Sequence, residues 1–244
     1  MVGGFPCQSF SIAGKRKGFT DERGNLFFEI IRIIKHKKPS YILLENVKGL
    51  IHHDQGKTFE IILQSLVQLG YNIQWQVLNS KDFGVPQNRQ RIYIIGHLRG
   101  ISCPQVFPIR PKNKKNNLFQ KLNKKSPTIK IKEATKCGYA IASVGDSIDI
   151  SYPTSTMRRG RVGKQLSHTI ITKMCHATLT KDYKLRYFTP LECERLQGFP
   201  DSWTQYGVTE KGSQTNISDT QRYKCLGNAV SVPVIKAIVD RMIN

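Results

Sequence analysis

The chain has 244 residues, 39% of them hydrophobic, and carries 38 Lys plus Arg against 17 Asp plus Glu, a formal net charge of +21. That length predicts one or two domains, the apolar content suits a packed globular core, and no apolar stretch is long enough to cross a bilayer. So large a basic excess points to a polyanionic partner held through phosphate contacts and counterion release. The six cysteines, at 7, 103, 137, 175, 193 and 225, form no C-x-x-C pair and no framework spacing. With no signal peptide ahead of them, they predict reduced thiols and a cytoplasmic protein. Cys175-His176 is a lone pair without further ligands, so no metal site is expected.

The first residues, Gly3-Gly4-Phe5-Pro6-Cys7-Gln8, place a thiol after glycines and a proline, which predicts a fixed, exposed turn presenting the sulfur. Residues 8–25 (QSFSIAGKRKGFTDERGN) read as a glycine-bearing basic connection. Residues 26–36 carry apolar residues at helical spacing and end in basic ones, which suit a helix C-terminus. Lys38-Pro39 stops that helix, and 40–44 read as a buried strand ending at Glu45. Residues 57–69 predict an amphipathic helix closed by Gly70, followed by strands from Trp75 to Leu78 and Arg91 to Ile95. This alternation indicates an α/β sheet with helices on its faces. In such sheets ligands gather at the carboxyl ends of the strands, where Cys7 and Glu45 fall. Arg89 and Arg91, separated by Gln90, would project to one face of a strand.

The composition changes after about residue 99. Residues 110–136 hold ten Lys/Arg against one Glu and read as a surface linker or a phosphate-tracking arm. Arg158-Arg159-Gly160-Arg161-Val162-Gly163-Lys164 offers four cations among two glycines, so charge and backbone could both approach a phosphate. Short β-prone pieces such as His168 to Thr172 follow, and a helix is expected from about Pro233 to Ile243.

Five segments, taken in order, carry a family resemblance: GGFPCQSFS at 3–11, YILLENVKGL at 41–50, FGVPQNRQRIYIIG at 83–96, RYFTPLECERLQGFPD at 186–201 and KCLGNAVSVP at 224–233. Together they resemble the conserved blocks of the cytosine-C5 DNA methyltransferases of bacterial and phage restriction-modification systems. The resemblance covers residues 1 to about 98 and about 186 to 244. It implies transfer of a methyl group from S-adenosylmethionine to C5 of a cytosine flipped out of double-stranded DNA. Cys7 would be the nucleophile that adds at C6, since a thiolate adduct makes C5 enamine-like. Glu45 would relieve charge near N3, with Arg89 and Arg91 contacting the cytosine O2 and a neighbouring phosphate or carboxylate. Residues 8–25 would be the catalytic loop, with Gln8, Ser11 and Arg23 facing DNA. Arg158, Arg159 and Arg161 are further candidate DNA contacts.

By the same resemblance Pro6, Asn25, Leu26, Asn228 and Ala229 border S-adenosylmethionine. That family normally begins with a glycine-rich cofactor loop, and no G-x-G-x-x-G or Walker-type segment occurs in this chain. Two or three absent βαβ units would correspond to about 60–90 residues. The expected fold is therefore an incomplete Rossmann-like S-adenosylmethionine-dependent methyltransferase sheet. A smaller, mostly β or irregular target-recognition region would be inserted before the C-terminal helix. The expected domains are 1–99 (catalytic portion), 100–224 (basic linker and target recognition) and 225–244 (helix returning to the catalytic domain). Only half a cofactor site is expected, so the chain alone should have little activity and would need a separate polypeptide supplying the N-terminal motifs. Two other readings stand beside this one. The first is a catalytically inactive DNA-binding fragment. The second is an RNA cytosine-C5 methyltransferase, which the single proline before Cys7 disfavours.

Overall fold

The computed structural model describes residues 1–5, 26–110, 127–155 and 157–243. The chain divides into two compact units, the first formed by Met1–Asn79, Gln90–Arg110 and Lys236–Asn244, the second by Ser80–Arg89 and Pro111–Ile235.

The first unit is a four-stranded mixed sheet with helices. Its elements are β1 (Val2–Gly4), α1 (Leu26–Lys37), β2 (Tyr41–Val47), α2 (Lys57–Gln68) and β3 (Tyr71–Asn79). The two-residue β4 (Gln87–Asn88) belongs to the second unit, and β5 (Gln90–Leu98) returns to the first. The strand order is β1-β2-β5-β3. β1 runs parallel to β2, while β5 lies antiparallel to both β2 and β3.

The local reasons are legible. Ile42, Leu43 and Leu44 are all buried, as a strand covered on both faces requires. α1 sends Phe27 and Ile34 into the core and carries Lys35 and Lys37 in its last turn, cations that favour the negative end of the helix dipole. α2 buries Phe59, Ile62 and Leu66, and Gly70 ends it at a φ of +92°, where a side chain would be strained. Gly96 is required by contact instead: a Cβ there would lie 2.5 Å from Ile42 Cγ1.

Beyond β5 the chain does not leave the first unit at once. Residues 104–109 are held by side chains of β3: Gln74 accepts from the amides of Val106 and Phe107, and Gln76 exchanges two bonds with Ile109. Arg241 donates to the carbonyls of Val106 and Pro108 from α5 (Val232–Met242), whose residues from Lys236 on belong to this unit.

The second unit is built from short strands and two helices. β6 (Thr128–Lys132) and β7 (Tyr139–Ser143) form one hairpin. β8 (Ser147–Asp149), β9 (Val162–Gly163), β11 (His176–Leu179) and β12 (Leu185–Tyr187) make an antiparallel sheet in the order β12-β11-β8-β9. β10 (Ser167–His168) pairs in parallel with β4, so the β-prone stretch His168 to Thr172 forms a strand only at its first residue. α3 (Pro190–Gln197) starts on a capping box between Thr189 and Glu192, has Pro190 in its first turn and stops at Gly198 with φ +78°. β13 (Tyr206–Val208) and β14 (Gln214–Asn216) form an exposed hairpin, and α4 (Asp219–Asn228) follows. One small core gathers Ile170, Cys193, Leu196 and Leu226. Glu194, fully buried, accepts from the amides of Ser202 and Thr204, from the Thr204 hydroxyl and from Arg222. Those bonds outweigh burial and hold its carboxyl below the ordinary range.

Candidate functional site

In the first unit the parallel strands β1 and β2 end side by side, with Gly4 in register with Glu45. Across β5, Glu45 faces Tyr93 and Val47 faces Arg91. Arg91 Nε lies 2.9 Å from Glu45 Oε1, and the two side chains retain 15% and 20% of their exposure. This carboxylate–guanidinium pair is half-buried, so the low local dielectric strengthens it while a ligand could still reach both groups. Asn46 braces the strand ends: its Nδ2 donates to the carbonyl of Phe5 at 3.3 Å and its Oδ1 accepts from the Val47 amide at 2.8 Å. Phe5 is buried against Phe27, with ring centroids 5.3 Å apart.

The turn expected at Gly3-Gly4 is instead strand β1. The glycines there serve close approach, since a Cβ on Gly4 would meet the Glu45 carbonyl at 3.2 Å and its Oε2 at 3.8 Å. Pro6, Cys7, Gln8, Ser11, Arg23 and Asn25 lie outside the described residues.

Arg89 is not placed beside Arg91. β5 begins at Gln90, one residue too late to hold both arginines on one strand face, and Arg89 belongs to the second unit. There its side chain is 3% exposed and donates to the carbonyls of Ile170, Gly227 and Ala229. Two residues that sequence reasoning did not select complete this arrangement. Gln87 accepts from the Ile170 amide and donates to the Leu196 carbonyl and to Gln197 Oε1. Gln197 in turn donates to the carbonyls of Leu226 and Ala229. All three side chains are buried, so these bonds are made in a medium where leaving one unmade is costly.

The network fixes the turn after α4, where Asn228 is exposed and Ala229 half-buried. Gly227 is needed in that turn because a Cβ would come within 2.3 Å of the Ile171 backbone. Leu26, in the first unit, is the opening residue of α1 and is 46% exposed.

The basic run at 158–164 also separates into different roles. Arg159 is exposed. Arg158 lies over the Tyr152 ring at 4.1 Å and pairs with Asp149 at 3.1 Å. Arg161, expected at a DNA phosphate, is only 3% exposed. Its guanidinium donates to the carbonyls of Asp149, Lys132 and Pro153, while its amide and that of Gly160 donate to the buried Glu133 carboxylate. Four of its five N–H directions are taken by its own fold, leaving no fork for a phosphate.

Below this loop, His176 stacks between His168 and Phe188. Burial first, and His168 second, push its pKa down to about 4. Burial likewise pushes the thiols of Cys175 and Cys193 up, to about 11 and about 12, which makes both poor nucleophiles. Among the described residues no group of His, Cys, Asp and Glu could hold a metal ion, and no helix is long and apolar enough to cross a membrane.

Comparison with known proteins bears on this geometry. Residues 1–244 match the family model described as C-5 cytosine-specific DNA methylase. The type II methyltransferase M1.ScrFI of Lactococcus lactis subsp. cremoris is 40% identical over 258 residues, covering 100% of this chain and 61% of the relative. M.SsoII of Shigella sonnei is 38% identical, covering 100% of this chain and 63% of its own length. The chain thus spans about three fifths of these curated relatives. Among solved structures, the Entamoeba histolytica methyltransferase EhMeth aligns with a TM-score of 0.58 at 21% identity, over 99% of this chain and 76% of that one. The S. pombe Dnmt2 methyltransferase aligns at 0.54 and 21%, over 99% and 77%. Both establish a shared mixed α/β fold.

Proposed function

Because the chain belongs to the C-5 cytosine-specific DNA methylase family, we propose that it carries the base-activating portion of a DNA (cytosine-5)-methyltransferase acting on double-stranded DNA. The observation that carries this reading is the Glu45–Arg91 pair at the ends of β1 and β2, with Cys7 following Gly4 by three residues. In this mechanism the Cys7 thiolate forms a bond to C6 of the flipped cytosine, and the electron pair moves toward C5. Glu45 hydrogen-bonds N3 as charge develops on the ring, and Arg91 holds both the carboxylate and the pyrimidine O2. S-adenosylmethionine, when bound, supplies an electrophilic methyl group. Loss of the C5 proton then expels Cys7 and restores the aromatic ring.

By the family resemblance, Pro6, Asn25, Leu26, Asn228 and Ala229 form the proposed cofactor-binding set. A half-site, with a separate polypeptide supplying the remaining cofactor motifs, is part of the same proposal. The proposed division is a catalytic portion at 1–99, a linker and target-recognition region at 100–224, and a returning helix at 225–244. The sheet would be an incomplete Rossmann-like one. Arg89 acts here as a positioning residue rather than a base contact. Among the basic loop residues, Arg159 and Arg158 remain the proposed phosphate contacts, with Gln8, Ser11 and Arg23 on the DNA side of the catalytic loop. Reduced thiols and DNA as substrate fit a cytoplasmic location.

The test is labelled methyl transfer from S-adenosylmethionine to unmethylated duplex DNA. The chain is assayed alone and mixed with the portion of M1.ScrFI that it does not match, with Cys7→Ser as control. Transfer in the mixture that vanishes in Cys7→Ser supports the reading. Absence of transfer alongside salt-sensitive DNA binding would favour an inactive DNA-binding fragment instead.

A further inference from the structure

We propose that the β13–β14 hairpin of the second unit is a self-association surface, and that its occupant is the same hairpin of a second copy of this chain. The inference goes beyond the catalytic reading, which names no residue of this hairpin.

β13 and β14 pair only with each other, so among the described residues they form an isolated two-stranded sheet. Such a ribbon is marginal in water unless a further strand or an apolar surface covers it. Little of its own fold does so: Tyr206, Val208, Gln214, Thr215 and Asn216 are all exposed, and only Gly207 lies against Ile217. The Ile217 amide donates to the Gln205 carbonyl and the Thr209 amide to that of Ser213, so Gln205, Gly207 and Thr209 face β14. The N–H and C=O of Tyr206 and Val208 therefore point to the outer edge. No strand among the described residues pairs with them there. That edge carries no charge and no proline, two of the devices that ordinarily keep sheet edges apart.

The edge is complementary to itself. A two-fold axis at Gly207, with two β13 strands antiparallel, sets Tyr206 of each copy opposite Val208 of the other. The outward groups of both residues then close into hydrogen-bonded pairs, and an aromatic side chain meets a β-branched one across the strands. Gly207 has no side chain to obstruct the axis. Trp203, 63% exposed and stacked on Phe199, adds apolar surface just before the ribbon. Charge selects a second copy over DNA. The chain carries a net +21, yet residues 199–217 hold only Lys211 against Asp201 and Glu210. A polyanion finds no excess of cations on this segment, whereas two copies of a strongly basic chain meet here with the least repulsion. The edge is short, so the interface is small and association depends on concentration rather than being obligate.

The experiment measures the mass of the 244-residue chain by sedimentation equilibrium, without DNA, across protein and salt concentrations. Tyr206→Asp and Val208→Lys change exposed side chains only, and urea midpoints on the same preparations verify that both variants are folded. The expected result is a monomer–dimer equilibrium that strengthens as salt screens the net charge, opposite to DNA binding. Each variant alone raises the dissociation constant about tenfold or more, because two-fold symmetry makes every change count twice. An equimolar mixture of the two variants restores association, since the new carboxylate of one chain faces the new ammonium of the other. A wild-type chain that stays monomeric, a dimer that neither variant weakens, or variants whose mixture does not re-form the dimer would each overturn the proposal. So would hydrogen exchange at 206–208 that slows only when DNA is added to a monomeric chain, which would give the edge to DNA.

Discussion

Arg91 keeps 15% of its side chain in solvent and directs its Nε to Glu45, whereas Arg89, two residues earlier, is 3% exposed and donates to three carbonyls of the second unit. The two have the same chemistry and nearly the same sequence position, yet one sits at a strand end within reach of a ligand and the other ties loops together. The boundary between them is the start of β5 at Gln90. A guanidinium that retains solvent contact next to a carboxylate can exchange partners during a reaction. One whose donors are consumed by buried carbonyls cannot do so without exposing those carbonyls to an apolar interior. On the proposed reading, function and stability are carried by different members of one short motif.

The sharpest way to break this comparison is Arg89→Ala, which strips donors from Ile170, Gly227 and Ala229. Urea unfolding should show a loss of about 3–5 kcal/mol, and Arg89→Lys should recover little of it because one ammonium cannot serve a planar fork. A loss under about 1 kcal/mol would mean that the clamp does not hold the second unit.

His176 tests the second unit by pH. Its folded pKa of about 4 lies below the ordinary 6.5, through burial and then His168, with Asp149 opposing. The unfolded chain therefore binds more protons between those values, so stability is full above pH 6.5 and falls as pH drops toward 4. The expected loss is about 2–4 kcal/mol, and His176→Gln should flatten that slope in equilibrium melts.

Gln197→Leu removes the donors to Leu226 and Ala229 at similar volume. It should cost about 1–3 kcal/mol and raise hydrogen exchange in the turn at 226–229, with no change in the exchange of β2. The smallest effect belongs to Arg159→Ala, which should lower the slope of log affinity against log salt by about one contact for any DNA sequence. Arg161→Ala should leave that slope unchanged and instead lower the urea midpoint; the reverse pattern would return Arg161 to the DNA surface.

How much of this was readable beforehand follows from the range of the forces involved. α1, α2 and β2 are set by local periodicity and end signals, and each forms where the pattern indicates. Glu45 is selected by the family resemblance and its pairing with Cys7; on local sequence alone a carboxylate ending an apolar run reads as a salt-bridged strand terminus, and it does pair with Arg91. β1 was missed because two glycines are poor strand formers; they are used there for the close approach to Glu45, which depends on a strand 41 residues away. Arg161 looked like its neighbours, and only Glu133, 28 residues earlier, together with the carbonyls around it distinguishes it. The Gln87–Gln197 bond joins residues 110 apart, and neither glutamine carries a local signal of burial.

The central claim is that Arg91 serves the base site while Arg89 serves the fold. The most direct measurement is labelled methyl transfer by Arg91→Ala in the completed mixture, with its urea midpoint taken on the same preparation. The account predicts a stability change of about 1 kcal/mol or less and a fall in transfer of about a hundredfold or more. An Arg91→Ala protein that transfers methyl groups at the wild-type rate, or that loses activity only because it unfolds, would contradict it.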